Sequence, residues 1–478
     1  EIFTQSLKVD NSIEDILVDI DGNIWFASSR QGVLLETQGR FQDISLIAGL
    51  DNYVVNSILH EDDRLYVGHD SGYVILDEDT YQVIEDENYA VLEGLRIREM
   101  HLDSQGRMWV STTGDGLYMR EADGKSWKNY CKETHPVIQS DKFRCVIEAS
   151  AGIIAATDAG GYIINGDEVT RLAEGLDVRI LSLLEANGMI YAGTDGNGLY
   201  AVKDGQIQRI ITPKDGLSSL RVMKMKPCSG SRGLWLASGN NLDYLLFETG
   251  TVHHADTFPC TNVLDCLVME ASTLWILAGN GIYHNILDYR HYSRKNGIPY
   301  DMTANSFPQV MDGYAYLCGA EGIAWMDMDQ TYGIPESYLL NIDYILQDDE
   351  RLYVQGADSI TIPSNVKRLE LEGHLATYTQ ENPTLFYYLE GFEETPHFTS
   401  YQKLSNIVYT NIPGGNYTFH FGVYDPEHSS MGQEILLNIS VSCKWYELLG
   451  VKILIAIAGI FLIALLSWAV FWINESRR

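Results

Sequence analysis

One sequence pattern recurs along the first two thirds of the chain. Each copy has an apolar strand, a turn rich in Asp and Gly, an aromatic residue followed by small residues, and a second apolar strand. The positions that close eight copies lie 37 to 45 residues apart and are Gly32, Gly72, Gly116, Gly161, Gly198, Asn241, Gly281 and Gly322. A repeat of about forty residues with about four short strands is typical of a β-propeller, because one blade must stack on its neighbours to bury both faces. The pattern therefore predicts an all-β propeller over residues 1–330, with seven or eight blades.

Residues 97–119 show how one copy is expected to fold. Two apolar strands flank a turn that ends at Gly106, a residue that tolerates the positive φ of a tight hairpin. Trp109 on the second strand is large enough to fill the space between neighbouring blades, and the small residues after it allow the next loop to approach closely. We therefore expect a row of aromatic residues between the blades rather than on a binding surface, namely Trp25, Trp109, Trp235 and Trp275.

These repeats resemble the regulatory propeller repeats in the periplasmic or extracellular halves of bacterial two-component sensors. The resemblance covers roughly residues 13–327, and several copies together are more specific than one. Ile154 replaces the aromatic residue of one copy, Asn241 replaces a closing glycine, and Pro308 interrupts a first strand. Residues 1–4, with Phe3, would form either a closing strand or the end of a preceding propeller.

A second β-rich segment follows over residues 331–443. Strands of five to eight residues, separated by turns rich in Gly, Pro and Asn, predict an immunoglobulin-like sandwich. The segment resembles the triple-tyrosine domain of the same sensors, with Tyr388, Tyr409 and Tyr417 at matching places, while His397 and Phe398 stand where that family has a tryptophan. We expect these tyrosines to serve the core and corner of the sandwich rather than a binding site.

The C-terminal region carries the clearest membrane signal of the sequence. Residues 453–473 contain no charged side chain and, at about 1.5 Å per residue, suffice to cross roughly 30 Å of hydrocarbon as one transmembrane helix. Residues 444–452 then form a juxtamembrane segment, with Trp445 and Tyr446 at one interface, and Trp468 and Trp472 suit the other. The position of the propeller places residues 1–452 in the periplasm or outside the cell and makes residues 474–478 the start of a cytoplasmic part.

Charge and cysteine content exclude several classes of partner. The formal net charge is −32, which argues against nucleic acid as a partner and favours a neutral or cationic ligand, or solubility alone, for the globular part. Seven cysteines without a Cys-x-x-Cys spacing are typical of buried thiols rather than of a disulfide framework. The sequence indicates no cofactor.

Catalytic and metal-binding motifs are weak throughout. Asp19 and Asp21 resemble part of a calcium loop, but Leu17 and Ser28 occupy the first and twelfth positions, where acids are required, so a hairpin turn is favoured. His253 and His254 are adjacent and would point to opposite faces of a strand, without an evident third ligand. We therefore predict no catalytic residue and no metal site.

The propeller fold indicates where a ligand would bind. Loops between second and third strands and loops between blades share one face around the axial funnel. Polar side chains on those loops offer hydrogen bonds to a sugar or another polar solute, although Asp and Asn are also common turn formers. The candidate ligand-binding residues are Arg30, His69, Asp70, Asp115, Asp158, Asp195, Asn197, Asn240, Asn280 and Glu321.

The resemblance implies the ligand-sensing and signal-transmitting part of a single-pass bacterial receptor in the inner or cytoplasmic membrane. It implies a cytoplasmic histidine kinase, in some cases a hybrid, that responds to a small polar ligand such as an oligosaccharide. Three alternatives stay open: the sensor half of a diguanylate cyclase, a membrane-anchored propeller lyase or hydrolase, and an adhesion or scaffold module. We also expect a homodimer, since two transmembrane helices can move relative to one another and report an external event.

Overall fold

The computed structural model describes residues 11–19, 22–36, 41–228, 230, 232–255, 262–268, 274–284, 290–304, 306–328, 338–348, 350–354, 356–377, 382–425, 430–444 and 449–476. These residues fall into two compact units. The first contains every strand from Ile13 to Asp327, and the second contains every strand from Leu339 to Val441 together with the C-terminal helix. The chain folds mainly as antiparallel β-sheet, as the repeat predicts.

The first unit opens with a three-stranded sheet whose strands pair only with one another among the described strands. Its strands β1 to β3 are Ile13–Val18, Ile24–Ser28 and Gly32–Glu36. Apolar side chains of this sheet are well exposed, including Leu17 at 63% and Val33 at 66%. The short strand β4 (Phe41–Asp43) and helix α1 (Ile44–Ala48) follow it.

Seven blades then succeed one another along the chain. Blade 1 has three strands, β5 to β7: Val55–Glu61, Arg64–His69 and Gly72–Asp77. Blade 2 contains β8 to β11: Ile97–Leu102, Met108–Thr112, Leu117–Arg120 and Trp127–Tyr130. Blade 3 contains β12 to β15: Phe143–Ala149, Gly152–Thr157, Gly160–Asn165 and Glu168–Arg171. Blade 4 contains β16 to β19: Ile180–Ala186, Met189–Thr194, Leu199–Lys203 and Gln206–Ile211.

The last three blades complete the series. Blade 5 contains β20 to β23: Val222–Pro227, Gly233–Ser238, Asn241–Leu246 and Val252–His254. Blade 6 contains β24 to β27: Val263–Val268, Leu274–Ala278, Gly281–His284 and Arg290–Tyr292. Blade 7 contains β28 to β30: Gln309–Met311, Tyr314–Cys318 and Ile323–Asp327. Short 3₁₀ turns lie at Glu87–Leu92, Pro213–Asp215 and Arg294–Asn296.

Strand β4 closes the ring by adding the fourth strand of blade 7. Met326 pairs with Phe41 and Ala324 pairs with Asp43, so the N-terminal and C-terminal ends of the ring share one sheet. The first strand of each blade is its inner strand, next to the ring axis. The inner strands of blades 1 and 7, β5 and β28, meet where Ser57 pairs with Phe307, the residue that precedes Pro308. The ring therefore has seven blades, and the repeat copy at residues 13–36 is the separate sheet β1–β3.

A separate apolar cluster fills each of the seven interfaces between blades. Trp109 and Trp275 are each 1% exposed and belong to two of these clusters, at the places expected for the aromatic row. A Cβ added to Gly193 would lie 2.5 Å from the Ser182 Oγ and 2.8 Å from the Val222 carbonyl oxygen. The small residue after the aromatic position thus allows neighbouring blades to approach closely.

The second unit is a β-sandwich of two sheets followed by a helix. Strands β31 to β35 are Leu339–Gln347, Glu350–Tyr353, Ser359–Ile362, Arg368–Ala376 and Thr384–Glu390. Strands β36 to β39 are His397–Ser400, Ile407–Thr410, Gly415–Asp425 and Ser430–Val441, and a 3₁₀ turn lies at Tyr401–Lys403. The sheet orders are β32-β31-β34-β37 and β33-β39-β38-β35-β36, with β33 parallel to β39. One apolar core lies between the sheets and includes Ile345, Leu371, Leu385, Phe419 and Phe421.

The three tyrosines of the sandwich have different roles. Tyr409 is 5% exposed and donates to the Glu393 carboxylate at 2.9 Å. Tyr417 donates to the Pro413 carbonyl oxygen four residues upstream at 2.9 Å, an arrangement similar to a tyrosine corner. Tyr388 stacks on His420 at 4.3 Å. These contacts agree with structural roles, while the immunoglobulin-like and triple-tyrosine assignments stay predictions.

The C-terminal helix α2 comprises Leu449–Ser476, three to four residues longer at each end than the predicted span. An 18-residue window within Gly450–Ser476 has a mean hydropathy of 2.8 and is not buried by the rest of the chain, so the segment is long and apolar enough to cross a membrane. Trp468 and Trp472 are exposed on this helix. Trp445, Tyr446 and the N-terminal segment with Phe3 lie outside the described residues.

Candidate functional site on the loop face of the ring

Two kinds of loop meet at one end of the ring, as the propeller fold predicts. The loop after β17 is joined to the loop that leads into blade 4, because Asp195 N donates to the Arg179 carbonyl oxygen at 3.0 Å. In the next blade, Gly239 N donates to the Arg221 carbonyl oxygen at 2.8 Å. We call the end of the ring formed by these loops the loop face.

Three candidate aspartates on the loop face form ion pairs with arginines. Asp70 Oδ1 lies 2.9 Å from the Arg96 Nε. Asp158 Oδ1 lies 2.6 Å from the Arg144 Nε and 3.3 Å from the Arg179 Nε. Asp195 pairs with two arginines: its Oδ2 lies 3.0 Å from Arg179 and its Oδ1 lies 3.2 Å from Arg221. Charged side chains thus follow the face from blade 1 to blade 5, and we call them the arginine–aspartate belt: Asp70, Arg96, Arg144, Asp158, Arg179, Asp195 and Arg221.

The arginines of this belt are absent from the sequence-predicted set. Arg96, Arg179 and Arg221 each stand immediately before the inner strand of a blade, and Arg144 is the second residue of such a strand. A comparison of the repeats could have found these arginines, because a basic residue recurs directly before several inner strands. Three of the five ion pairs join a loop of one blade to the start of the next, which a pattern within one repeat does not show: Asp70–Arg96, Asp158–Arg179 and Asp195–Arg221. The pairs Arg144–Asp158 and Arg179–Asp195 each lie within one blade.

In blades 1 to 6, a bulge at the second residue of the inner strand, the strand next to the ring axis, turns that side chain toward the opening of the axial channel at the loop face, which we call the mouth. The pairing register shifts between the first and third residues of β5, β8, β12, β16, β20 and β24. The second residues of blades 1 to 3 are polar or cationic: Asn56, Arg98 and Arg144. Those of blades 4 to 6 form an apolar cluster: Leu181, Met223 and Leu264. The mouth therefore has one cationic side and one apolar side.

Arg98 is the most deeply buried guanidinium of the mouth, at 7% exposure. One of its terminal nitrogens donates to the Asn56 Oδ1 at 3.1 Å. Burial lowers the pKa of Arg98 to about 10, and the neighbouring positive charges of Arg144 and Arg96 add to this effect, against the opposing carboxylate of Asp70. Three guanidinium groups, those of Arg96, Arg98 and Arg144, are therefore close together on this side of the mouth, beside the carboxylates of Asp70 and Asp158.

The remaining candidates differ in exposure and contacts. His69 is 4% exposed and stacks on Tyr53 at 4.1 Å, and burial lowers its pKa, so the ring is neutral at pH 7. The Asn280 amide nitrogen donates to the Tyr283 hydroxyl at 2.7 Å. Other loop residues are exposed on the same face: Asp115, Asn197, Asn240 and Glu321. Arg30 lies on the turn between β2 and β3 and is therefore not part of the loop face of the ring.

A buried charged cluster fills the channel below the mouth. The Lys224 Nζ of blade 5 lies 3.1 Å from the centre of the Phe307 ring at the edge of blade 7, which requires the lysine to reach across the axis. Burial lowers the pKa of Lys224 to about 8, against the opposing effects of Asp265 and Glu99. Burial likewise raises the pKa of Glu99 to about 8. The charge of Lys224 and a 2.5 Å hydrogen bond from the Val146 amide to the Glu99 carboxylate act in the opposite direction. These side chains close the channel, so a solute at the loop face would be held at the mouth.

The residues of the two motifs weighed for metal binding have other contacts where the structure describes them, and Asp21 lies outside the described residues. Asp19 accepts from the Asn23 amide at 3.0 Å and from the Trp25 Nε1 at 2.7 Å, which caps its own hairpin. His254 contacts Asp243 at 2.8 Å through Nδ1. In the described part of the chain, no three His, Cys, Asp or Glu side chains are arranged to hold a metal ion.

The Ser218–His254–Asp243 cluster also lacks the order of a catalytic triad. The Ser218 hydroxyl lies 2.9 Å from the His254 Nδ1, the same nitrogen that contacts Asp243. A triad needs the serine and the carboxylate on opposite ring nitrogens. The cluster instead ties the loop before blade 5 to strand β22, because the Ser218 amide also donates to Asp243 at 2.7 Å.

The cysteines whose side chains the structure describes are free thiols. Cys145, Cys228 and Cys318 are buried, and burial raises the pKa of the last two to about 12. Cys131 is partly exposed and Cys443 is exposed. Cys260 and the side chain of Cys266 lie outside the described part of the structure.

Comparisons with known proteins identify relatives by fold. No protein-family model and no curated protein matches the sequence. The extracellular domain of BT3049, described as a hybrid two component system of B. thetaiotaomicron, is similar over 90% of this chain and 62% of its own, at 18% identity and a TM-score of 0.61. Two structures of the extracellular domain of BT4673 from the same organism, described as a one component and as a hybrid two component system, are similar over 93% of this chain and 64% of theirs. Their identities are 17% and 15%, each with a TM-score of 0.50.

The chain spans less than two thirds of the length of these structures. At identities below 20% the similarity establishes a common fold, and function has to be argued from the residues of this chain.

Proposed function

We propose that this chain is the extracytoplasmic ligand-sensing and signal-transmitting part of a bacterial sensor histidine kinase of the two-component type. In this proposal a polar solute such as a carbohydrate binds the loop face, the sandwich relays the event, and α2 carries it across the inner or cytoplasmic membrane. The output domain in this proposal is a histidine kinase.

One observation carries the proposal: a closed seven-bladed ring, a β-sandwich and an apolar helix of membrane-spanning length follow one another in a single chain. The extracellular domains of the B. thetaiotaomicron systems have the same fold. The polar loop face supports a binding role, because its charged groups are partly exposed while the strands are buried. Side-chain relative exposure is 49% for Arg221 and 29% for Asp195.

The receptor with its output domain provides the direct test. Cells that carry it with a reporter gene are given a panel of neutral and acidic oligosaccharides, and purified receptor is assayed for phosphorylation of a histidine. We expect one saccharide class to raise both signals, and we expect Arg179→Gln to shift the dose response without lowering the amount of receptor in the membrane. A receptor that forms cyclic diguanylate instead would assign the alternative output. A receptor that responds to no member of the panel would contradict the sensor proposal.

A further inference from the structure

Arginines are concentrated on one part of the loop face, on a chain that is acidic as a whole. The sequence has 33 Lys and Arg against 65 Asp and Glu, yet the arginine–aspartate belt contains four arginines and three aspartates. Arg98 adds a fifth guanidinium next to Arg96 and Arg144. Asp115 and Glu321 lie elsewhere on the loop face, and within the belt and Arg98 five guanidinium groups stand beside three carboxylates, which favours an anion over a cation at this place.

The belt is poorly explained as a stabilising device. Arg96, Arg179 and Arg221 have side-chain relative exposures of 49%, 46% and 49%. Ion pairs with this exposure contribute little to folding because water and salt screen them. They do restrain the guanidinium groups, and each aspartate contact uses only part of the five N–H donors of an arginine. The remaining donors are oriented in advance for a planar or tetrahedral oxyanion.

We propose that the arginine–aspartate belt binds a saccharide that carries oxyanion groups, either carboxylates or sulfates, and that Arg144, Arg179 and Arg221 donate hydrogen bonds to those groups. This inference rests on the proposed function and names its ligand class. The apolar cluster of Leu181, Met223 and Leu264 beside the arginines provides a surface for the C–H face of a sugar ring. The charged cluster around Lys224 closes the channel below, so the ligand lies across the mouth.

Binding by the complete chain in detergent micelles tests the inference by calorimetric titration. The probes are a neutral galactose tetrasaccharide, a tetragalacturonate and a sulfated galactan tetrasaccharide. We expect at least one acidic probe to bind and the neutral one to bind at least about tenfold more weakly. Arg179→Gln and Arg221→Gln should each weaken acidic-probe binding about tenfold, and raising the salt concentration should weaken it further. The preference between the two acidic probes distinguishes carboxylate from sulfate recognition.

Arg64→Gln is the matched control. Arg64 pairs with Asp86 at 3.0 Å and is 40% exposed, but it follows the hairpin at the opposite end of blade 1. This variant should bind like the unmodified chain, and thermal unfolding should show that all three variants are folded. Equal binding of neutral and acidic probes, or full binding by both belt variants, would overturn the anion inference and leave the sensor proposal standing. Binding of none of the three probes would also overturn it, while the reporter assay decides separately whether the receptor is a sensor.

Discussion

At the scale of single residues, the least ordinary groups are the ionisable side chains buried at the ring axis. Lys224 is 4% exposed and Glu99 is 8% exposed, and charges this deeply buried cost free energy unless they are compensated. Burial moves the two pKa values in opposite directions, to about 8 for each group. At pH 7 the folded protein therefore holds Glu99 mainly in its protonated form, and the stability of the ring depends on pH.

Glu99→Gln should alter that pH dependence in a defined direction. The folded-state pKa of Glu99 is raised from 4.5 to about 8, so the folded protein holds this proton while the unfolded chain releases it. The associated stability is present below about pH 4.5 and is lost as pH rises through about 8. The melting temperature of the unmodified chain, relative to that of Glu99→Gln, should therefore fall between pH 5 and pH 8. Glu148→Gln is the control, because the pKa of that exposed carboxyl is lowered and no change is expected in this range.

Tyr409 and Tyr388 are expected to differ in their contribution to the sandwich. Tyr409→Phe removes the partly buried hydrogen bond to the Glu393 carboxylate and leaves the Leu389 amide as the donor to that oxygen, which should cost about 1–2 kcal/mol. Tyr388→Phe keeps the ring that stacks on His420 and should change stability by less than about 0.5 kcal/mol. Differential scanning calorimetry of both variants measures the two values. Equal losses would argue against a distinct structural role for Tyr409.

At the scale of elements, the sequence predicts what is local and misses what joins distant segments. The repeat of aromatic, small and glycine residues predicts the blades, because hairpin turns and apolar alternation are encoded within about forty residues. The number of blades depends on the pairing of Phe41 with Met326, a contact between opposite ends of the ring. The belt contacts between blades are missed for the same reason, since Asp158 meets Arg179, and Asp195 meets Arg221, only after neighbouring blades have packed.

Phe41→Ala tests the closure of the ring by β4. Phe41 is 6% exposed and packs with Trp275 and Tyr292 across the interface of blades 6 and 7, so its truncation should cost about 3–5 kcal/mol. Val33→Ala in the separate sheet β1–β3 removes a side chain that is 66% exposed and should cost less than about 0.5 kcal/mol. Thermal unfolding of both variants compares the two elements. A larger loss for Val33→Ala would contradict the assignment of β4, rather than β1–β3, to the ring.

At the scale of the whole molecule, the proposed receptor needs a way to carry an event through α2. A ligand shifts a receptor only by its different affinity for two arrangements, and one isolated helix has few arrangements to offer. Two helices side by side can slide, rotate or pivot between discrete states. The apolar, exposed surface of α2 permits such pairing in a bilayer, although Gly459 and Ala464 are five residues apart and do not form a small-xxx-small face.

Single cysteines placed along residues 450–468 should therefore cross-link in membranes with helical periodicity. The experiment uses the receptor with Cys443 replaced by serine, since that thiol is exposed near the start of the helix. Helices in contact approach at one face, so cross-linking should peak every three to four residues, as helix packing requires. Addition of the inducing saccharide should change the relative yields at the peaks, because the two signalling states differ in helix arrangement. Uniform or absent cross-linking, with and without the inducer, would contradict the dimer and favour an adhesion or scaffold role.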